Sequence, residues 1–204
     1  KLRNTLRTTL IDIWEYVIPI WKISGLFKRI KSKKDLENFI QERSAHVSQT
    51  TLYGYLKTRI GVKYIAMMED EVFLKSINIA KWNIYVVALA DCAFYVFSYL
   101  ISEKNLKEND CKEIFLNILE NEKKNGLSDE IFDRGKKNFL ERLDKVNSSN
   151  YHLNDPFKES GQALYYWSPI ADELKSLDKK IVLNSIHLKC CLLYTSDAAD
   201  ETCR

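Results

Sequence analysis

Glycine and proline are scarce in this chain, with 6 Gly and 3 Pro among 204 residues. An all-β fold needs many turns, and these two residues form a large share of them. Their scarcity therefore argues against an all-β fold. Hydrophobic residues instead recur every three to four positions through long charged stretches, which is the period of an amphipathic helix. The sequence predicts an all-α fold, a single-domain helical bundle of about seven helices.

Cysteine and histidine are few and scattered, which limits the chemistry available to the chain. The five cysteines lie at positions 92, 111, 190, 191 and 203 with no CxxC pair, and the three histidines stand apart from one another. A zinc site needs clustered ligands at short spacing, so we predict no metal site and no cofactor. Isolated cysteines are typical of a reducing compartment, which favours a cytoplasmic location.

Catalytic motifs are missing as well. There is no GxSxG elbow and no phosphate-binding glycine loop, since the glycines are isolated. The sequence identifies neither a nucleophile with a neighbouring base nor an oxyanion site. The catalytic residues are therefore unknown, and the pattern favours a protein that is not an enzyme.

The N-terminal segment 1–34 is strongly basic. It carries nine Lys and Arg against two acidic residues, a net charge of +7, whereas the rest of the chain has −4. Its apolar residues follow a helical period, and a basic amphipathic helix with Trp is typical of helices on an anionic membrane surface. The alternative is that its apolar face packs on the rest of the domain. Nucleic-acid binding is disfavoured, because the basic run 28–34 has no aromatic platform. The membrane-surface candidates are Trp14, Trp21, Lys28, Arg29 and Lys31.

One long apolar run stands out. The segment IYVVALADCAFYVFSYLI, residues 84–101, has a single charged residue, Asp91. Its length would just suffice to cross a membrane. An Asp in the middle of such a span costs roughly 2.5–3.5 kcal/mol on insertion scales. A helix that is apolar on all sides because other helices surround it avoids this cost. We predict a central apolar helix at about 72–103, with a membrane span at 84–101 as the alternative.

Asp91 needs a partner if that helix is buried. A carboxylate in an apolar setting is paired, hydrogen-bonded or neutral. The cations considered as its partner are Arg43, Lys57, Arg59 and Lys81. The polar-core candidates are Asp91, Arg59 and Lys81. A pair that fixes helix register is favoured over a functional acid at a pocket.

Helix boundary signals divide the rest of the chain. Ser32 with Asp35 predicts a helix start and Gly61 the end of that helix, Ser128 predicts another start, and the last native helix is predicted at about 178–189. The predicted organisation is a basic N-terminal helix and linker at 1–34, a helical domain at 35–190 and a tail at 191–204.

The tail differs in character from the chain before it. The stretch CLLYTSDAAD, residues 191–200, resembles the translation of a sequencing-library adapter, and Glu201 is compatible with it. We therefore predict that residues 191–204 are a non-native, adapter-derived tail on a gene fragment. Such a segment is excluded from arguments about fold and function.

Two blocks resemble a known family. They are TLYGYLKTRIGVKYIAMMEDEVFLKSINIAKW, Thr51 to Trp82, and WSPIADELKSLDKKIVLNSI, Trp167 to Ile186. Both are similar to a family of small, uncharacterised bacterial proteins, some of which are called esterases, and the resemblance covers most of residues 35–189. It implies an all-helical fold and carries no catalytic residues over to this chain.

These features predict a non-catalytic helical protein, cytoplasmic and peripheral to the membrane through its basic N-terminal helix. Two alternatives stay open. One is a hydrolase, which the esterase name implies. The other is a membrane protein that spans at 84–101.

Overall fold

The computed structural model describes residues 30–103, 105–145, 150–153 and 156–195, apart from the side chains of 108, 109, 187, 188 and 190–195. A single helical turn, Tyr64–Met67, and two 3-10 turns, Gly61–Lys63 and Tyr151–Leu153, join longer helices. The all-α fold is confirmed, with six long helices in this part of the chain rather than about seven. These are α1 (Lys33–Ile60), α2 (Glu71–Ser102), α3 (Glu108–Lys124), α4 (Asp129–Leu143), α5 (Lys158–Trp167) and α6 (Asp172–Thr195).

The predicted caps set the bounds of α1. The Ser32 hydroxyl accepts a hydrogen bond from the Asp35 N–H at 3.1 Å, and Gly61 follows the last residue with φ of 60°. This left-handed φ favours glycine, which has no Cβ to clash. α1 begins at Lys33, two residues before the predicted start of the helical domain at 35. The N-terminal helix predicted before it lies outside the described residues.

The central helix is α2, as predicted. Asp70 begins it by accepting the N–H groups of Val72 and Phe73 at 2.8 and 3.0 Å. α2 contacts α1, α3, α4 and α5, so neighbours surround it. By length and composition α2 is the one helix among the described residues that could cross a membrane, yet 72% of its most apolar window is buried inside the protein. The core helix of a soluble protein has the same properties.

Side-chain contacts give the helices their directions. Arg134 and Arg142 of α4 bond to Asn83 and Asp91 of α2, and the numbers rise together along both helices, so α2 and α4 are parallel. Asp91 also bonds to Ser160 near the start of α5, whose far end reaches the Asn83 level of α2, so α5 is antiparallel to both. Short connections join α2 to α3 and α3 to α4, as between antiparallel neighbours in an up-and-down bundle.

Aromatic stacking closes the core between α2, α3 and α4. The Phe139 ring lies 3.7 Å from the Phe115 ring and 4.8 Å from the Phe94 ring, measured between ring centres. All three side chains are buried. Burying a Phe side chain contributes about 1.5–3 kcal/mol to stability, so this stack fixes α4 against the central helix.

The last helix is longer than predicted. α6 runs from Asp172 to Thr195 rather than over about 178–189. Its first half is hard to recognise because apolar residues lie on both faces: Leu177 and Ile181 are exposed, whereas Val182 is buried. The backbone stays helical past residue 191, where the tail is predicted to begin. Residues 196–204 lie outside the described part, so the adapter assignment stays a prediction.

Candidate functional site

Asp91 is the centre of a buried polar cluster. Its side chain has no exposed surface. Oδ1 accepts hydrogen bonds from Arg142 Nη2 at 2.6 Å and from the Tyr151 hydroxyl at 3.0 Å. Oδ2 accepts the Ser160 N–H at 2.8 Å and the Ser160 hydroxyl at 2.5 Å. Four donors therefore satisfy the carboxylate, as the burial of a charge requires.

The Ser160 contact places Asp91 at the N-terminus of α5. Ser160 is the third residue of that helix, where backbone N–H groups have no partner within the helix. A carboxylate at this position is favoured by the helix dipole. Asp91 thus acts as an N-terminal cap that comes from another helix, and it ties α5 to α2.

Burial and charge shift the pKa values around Asp91. Burial lowers the pKa of Arg142, but the charge and hydrogen bond of Asp91 and the neighbouring Tyr151 and Glu159 together outweigh burial, so the net shift of this pKa is upwards. Burial, followed by the charge of Asp91, raises the pKa of Tyr151. Both groups therefore keep their protons at neutral pH and act as hydrogen-bond donors to the carboxylate.

The structure corrects the predicted partners of Asp91. Its ion-pair partner is Arg142, which was not among the candidates. Arg59 instead pairs with Asp178 of α6. Lys81 lies ten residues before Asp91 on the same helix, about 15 Å away along the axis, and its amino group lies 5.0 Å from the Trp82 ring. Arg142 was missed because only packing of α4 on α2 brings it near.

A groove lies beside this cluster, between α2, α4 and α5. Its volume is about 360 Å³. Buried Val86 and Ala90 of α2 form part of its floor. Gly135 faces Val86, and a Cβ on this residue would collide with the Val86 side chain, so glycine allows α4 to approach closely. The other lining residues are Asn83, Val87, Ile131, Arg134, Asn138, Glu141, Arg142, Lys145, Glu159 and Trp167.

The groove combines charge with apolar surface. Arg134 donates to the Asn83 side-chain oxygen, and its guanidinium carbon lies 5.6 Å from the centre of the Trp167 ring. Glu141 pairs with Lys137 at 3.9 Å. In the described part of the chain, neither Arg134 nor Lys145 has a carboxylate within ion-pair distance. This site could not be predicted from the sequence, because its residues come from three separated segments with no motif.

A serine and a histidine also meet at the end of α2. Ser98 Oγ lies 2.7 Å from His152 Nδ1 and accepts the His152 backbone N–H at 3.3 Å. Burial lowers the pKa of His152, so its ring is neutral at pH 7. Ser98 is only 1% exposed. Ser98 lies inside α2, whose backbone N–H groups bond within the helix, so among the described residues its own segment offers no oxyanion donor. The contact fastens the turn Tyr151–Leu153 to α2.

A second buried acid, Glu122 of α3, has neutral partners. Tyr85 and Gln41 donate to its Oε1 at 2.5 and 2.6 Å, and Asn125 donates to its Oε2 at 3.1 Å. Burial, and then the charge of Glu122, raise the pKa of Tyr85. These bonds join α1, α2 and α3, which is a structural role.

The other predicted site residues lie apart from the groove. Trp14, Trp21, Lys28 and Arg29 are outside the described residues, and Lys31 is exposed, with its backbone N–H bonded to Asp35 at 3.2 Å. The described residues contain no group of three or more His, Cys, Asp or Glu placed to hold a metal ion.

Comparisons with protein-family models, curated proteins and solved structures give no match for this chain. The resemblance to a family of small bacterial proteins therefore stays a prediction.

Proposed function

We propose that this chain is a non-catalytic helical binding protein whose groove between α2, α4 and α5 takes up a small organic ligand. The observation that carries the proposal is a concave site of about 360 Å³ in which apolar surface and several polar groups converge. Small-molecule sites are typically clefts of roughly 300–1,000 Å³ with this composition. The floor belongs to the central helix and is rigidly packed, so the site exists before a ligand arrives.

The hydroxyl contacts weigh against the alternative of a hydrolase. Ser160 has no exposed surface and its hydroxyl is committed to Asp91. Ser98 is nearly as buried, and the backbone N–H groups of the helix around it are bonded within that helix. An acyl substrate needs access to the nucleophile and stabilisation of the developing negative charge. Binding of a ligand in the exposed groove needs neither an accessible nucleophile nor stabilisation of a developing negative charge.

A panel of matched compounds tests the binding function. Benzoate, benzamide and benzylamine form one series, and octanoate, octanamide and octylamine form another. Ligand-observed NMR with the full chain detects the weak binding that fragments of this size show. We expect at least one compound to bind. Asn138 is exposed on the groove wall, so Asn138→Trp should fill the groove without disturbing the core and should abolish binding.

Lys136→Trp is the matched control, because Lys136 is exposed on the same helix but does not line the groove. It should bind like the unmodified chain. If no compound binds, or if Asn138→Trp and Lys136→Trp bind alike, the groove is not a ligand site.

Attachment to membranes is a second candidate function. It is favoured by the net charge of +7 in residues 1–34, interleaved with Trp14 and Trp21. This segment precedes the bundle that carries the groove, so the two functions are compatible and are tested separately.

A further inference from the structure

The cations of the groove differ in how they are compensated. The charge of Arg142 is offset by Asp91 at 2.6 Å. Arg134 bonds instead to a neutral amide, that of Asn83, and within the described residues it has no carboxylate partner. A guanidinium has five N–H donors, of which this contact uses one. Arg134 therefore retains both charge and donors for a ligand.

The position of Arg134 is held by its neighbours. The Trp167 ring lies on one side at 5.6 Å, and Asn83 of α2 fixes the Nη2 atom. A guanidinium positioned in this way needs little ordering before it makes two parallel hydrogen bonds to a carboxylate or a phosphate. The aromatic ring supplies apolar surface next to the charge.

Negative charge lies at the opposite end of the groove. Glu141 is seven residues beyond Arg134 on α4, about 10 Å along the helix axis. Glu159 belongs to the first turn of α5 and lies near Arg142, whose pKa it raises. Arg142 and Lys145 line the groove at this end too, so positive and negative charge are mixed there, whereas the other end presents the guanidinium of Arg134. The apolar residues Val86, Val87 and Ile131 also line the groove.

We propose that the groove binds amphipathic organic anions, with the carboxylate on Arg134 and the apolar body against Trp167 and the aliphatic floor. This inference rests on the proposed binding function and narrows its ligand class. The anionic group is recognised by charge-assisted hydrogen bonds, so the neutral amide and the cationic amine of the same skeleton bind more weakly.

The matched series of carboxylate, amide and amine measure this preference in the full chain. Benzoate or octanoate should bind at least about tenfold more tightly than its amide, since charge-assisted hydrogen bonds are roughly twice as strong as neutral ones. Arg134→Gln should lower the affinity of the carboxylate to that of the amide. Arg134→Lys keeps the positive charge and should therefore retain part of the affinity for the carboxylate. Lys136→Gln removes the same charge outside the groove and should leave the affinity unchanged.

The outcomes separate the two proposals. If an amide or amine binds as tightly as its carboxylate and Asn138→Trp still abolishes that binding, the ligand class is wrong and the groove remains a binding site. Equal weakening by Arg134→Gln and Lys136→Gln would also overturn the role of Arg134, because it would show a general effect of net charge. If no member of either series binds, both proposals fail.

Discussion

Asp91 is bonded to residues that follow it in the chain by 51 positions at Arg142, 60 at Tyr151 and 69 at Ser160. The burial of this carboxylate could be predicted, because the residues around it in sequence are apolar. Its partners could not, because the register of α4 and α5 against α2 selects them. Sequence reasoning considered cations of α1 and of the start of α2, which the fold directs elsewhere.

Removing Asp91 tests how much this cluster contributes. Asp91→Leu leaves Arg142 without its partner, and breaking a buried ion pair costs about 3–5 kcal/mol. Because the Arg142 side chain is 23% exposed and partly hydrated, we expect a loss near the lower end. Urea unfolding measures it. The double variant Asp91→Leu, Arg142→Met should recover part of the loss, since no charge is then stranded. A double variant as unstable as the sum of the two single variants would show that the pair does not interact.

At the scale of the helices, the predictions succeeded where a capping residue marks the boundary. Ser32, Gly61 and Ser128 stand where they were expected, because side-chain and glycine caps are local in sequence. At α6 the prediction covers only part of the helix, about 178–189 of Asp172–Thr195, because apolar residues lie on both of its faces. The close contacts between helices at Gly135 and Gly161 could not be predicted from the sequence either, since they depend on which residue of the neighbouring helix faces each glycine.

Two glycines test that approach. Gly161 of α5 faces the backbone of α6, and a Cβ there would collide with the Leu183 carbonyl oxygen. Gly161→Ala should therefore force α5 and α6 apart and destabilise the protein by about 1–3 kcal/mol. Gly54→Ala is the control, because its Cβ would lie 4.0 Å from the Lys189 amino group. Because alanine is favoured over glycine in a helix interior, Gly54→Ala should raise the free energy of unfolding by about 0.5–1 kcal/mol. If both substitutions changed the free energy of unfolding in the same direction, this account of the packing would be contradicted.

At the scale of the whole molecule, the groove-bearing bundle is joined to a segment of opposite charge, since residues 1–34 carry +7 and the rest of the chain −4. Composition together with the helical period predicted the helical class, and counting charges along the chain gave the charge asymmetry, because these features can be read without knowing how the helices pack. The groove could not be predicted in this way. It lies between α2, α4 and α5, and residues from these three helices meet there only after packing.

The charge asymmetry predicts that residues 1–34 bring the chain to anionic membranes. Each Lys or Arg near such a surface contributes about 1 kcal/mol, and salt screens this attraction. We expect the chain to float with vesicles that contain phosphatidylserine and not with vesicles of phosphatidylcholine alone. Replacing Lys28, Arg29 and Lys31 together by Gln should weaken flotation and its salt dependence. A deletion should stop at residue 30, because Ser32 caps α1 and Lys33 pairs with Asp110 at 3.0 Å. Equal flotation with and without residues 1–30 would place the membrane contact elsewhere or exclude it.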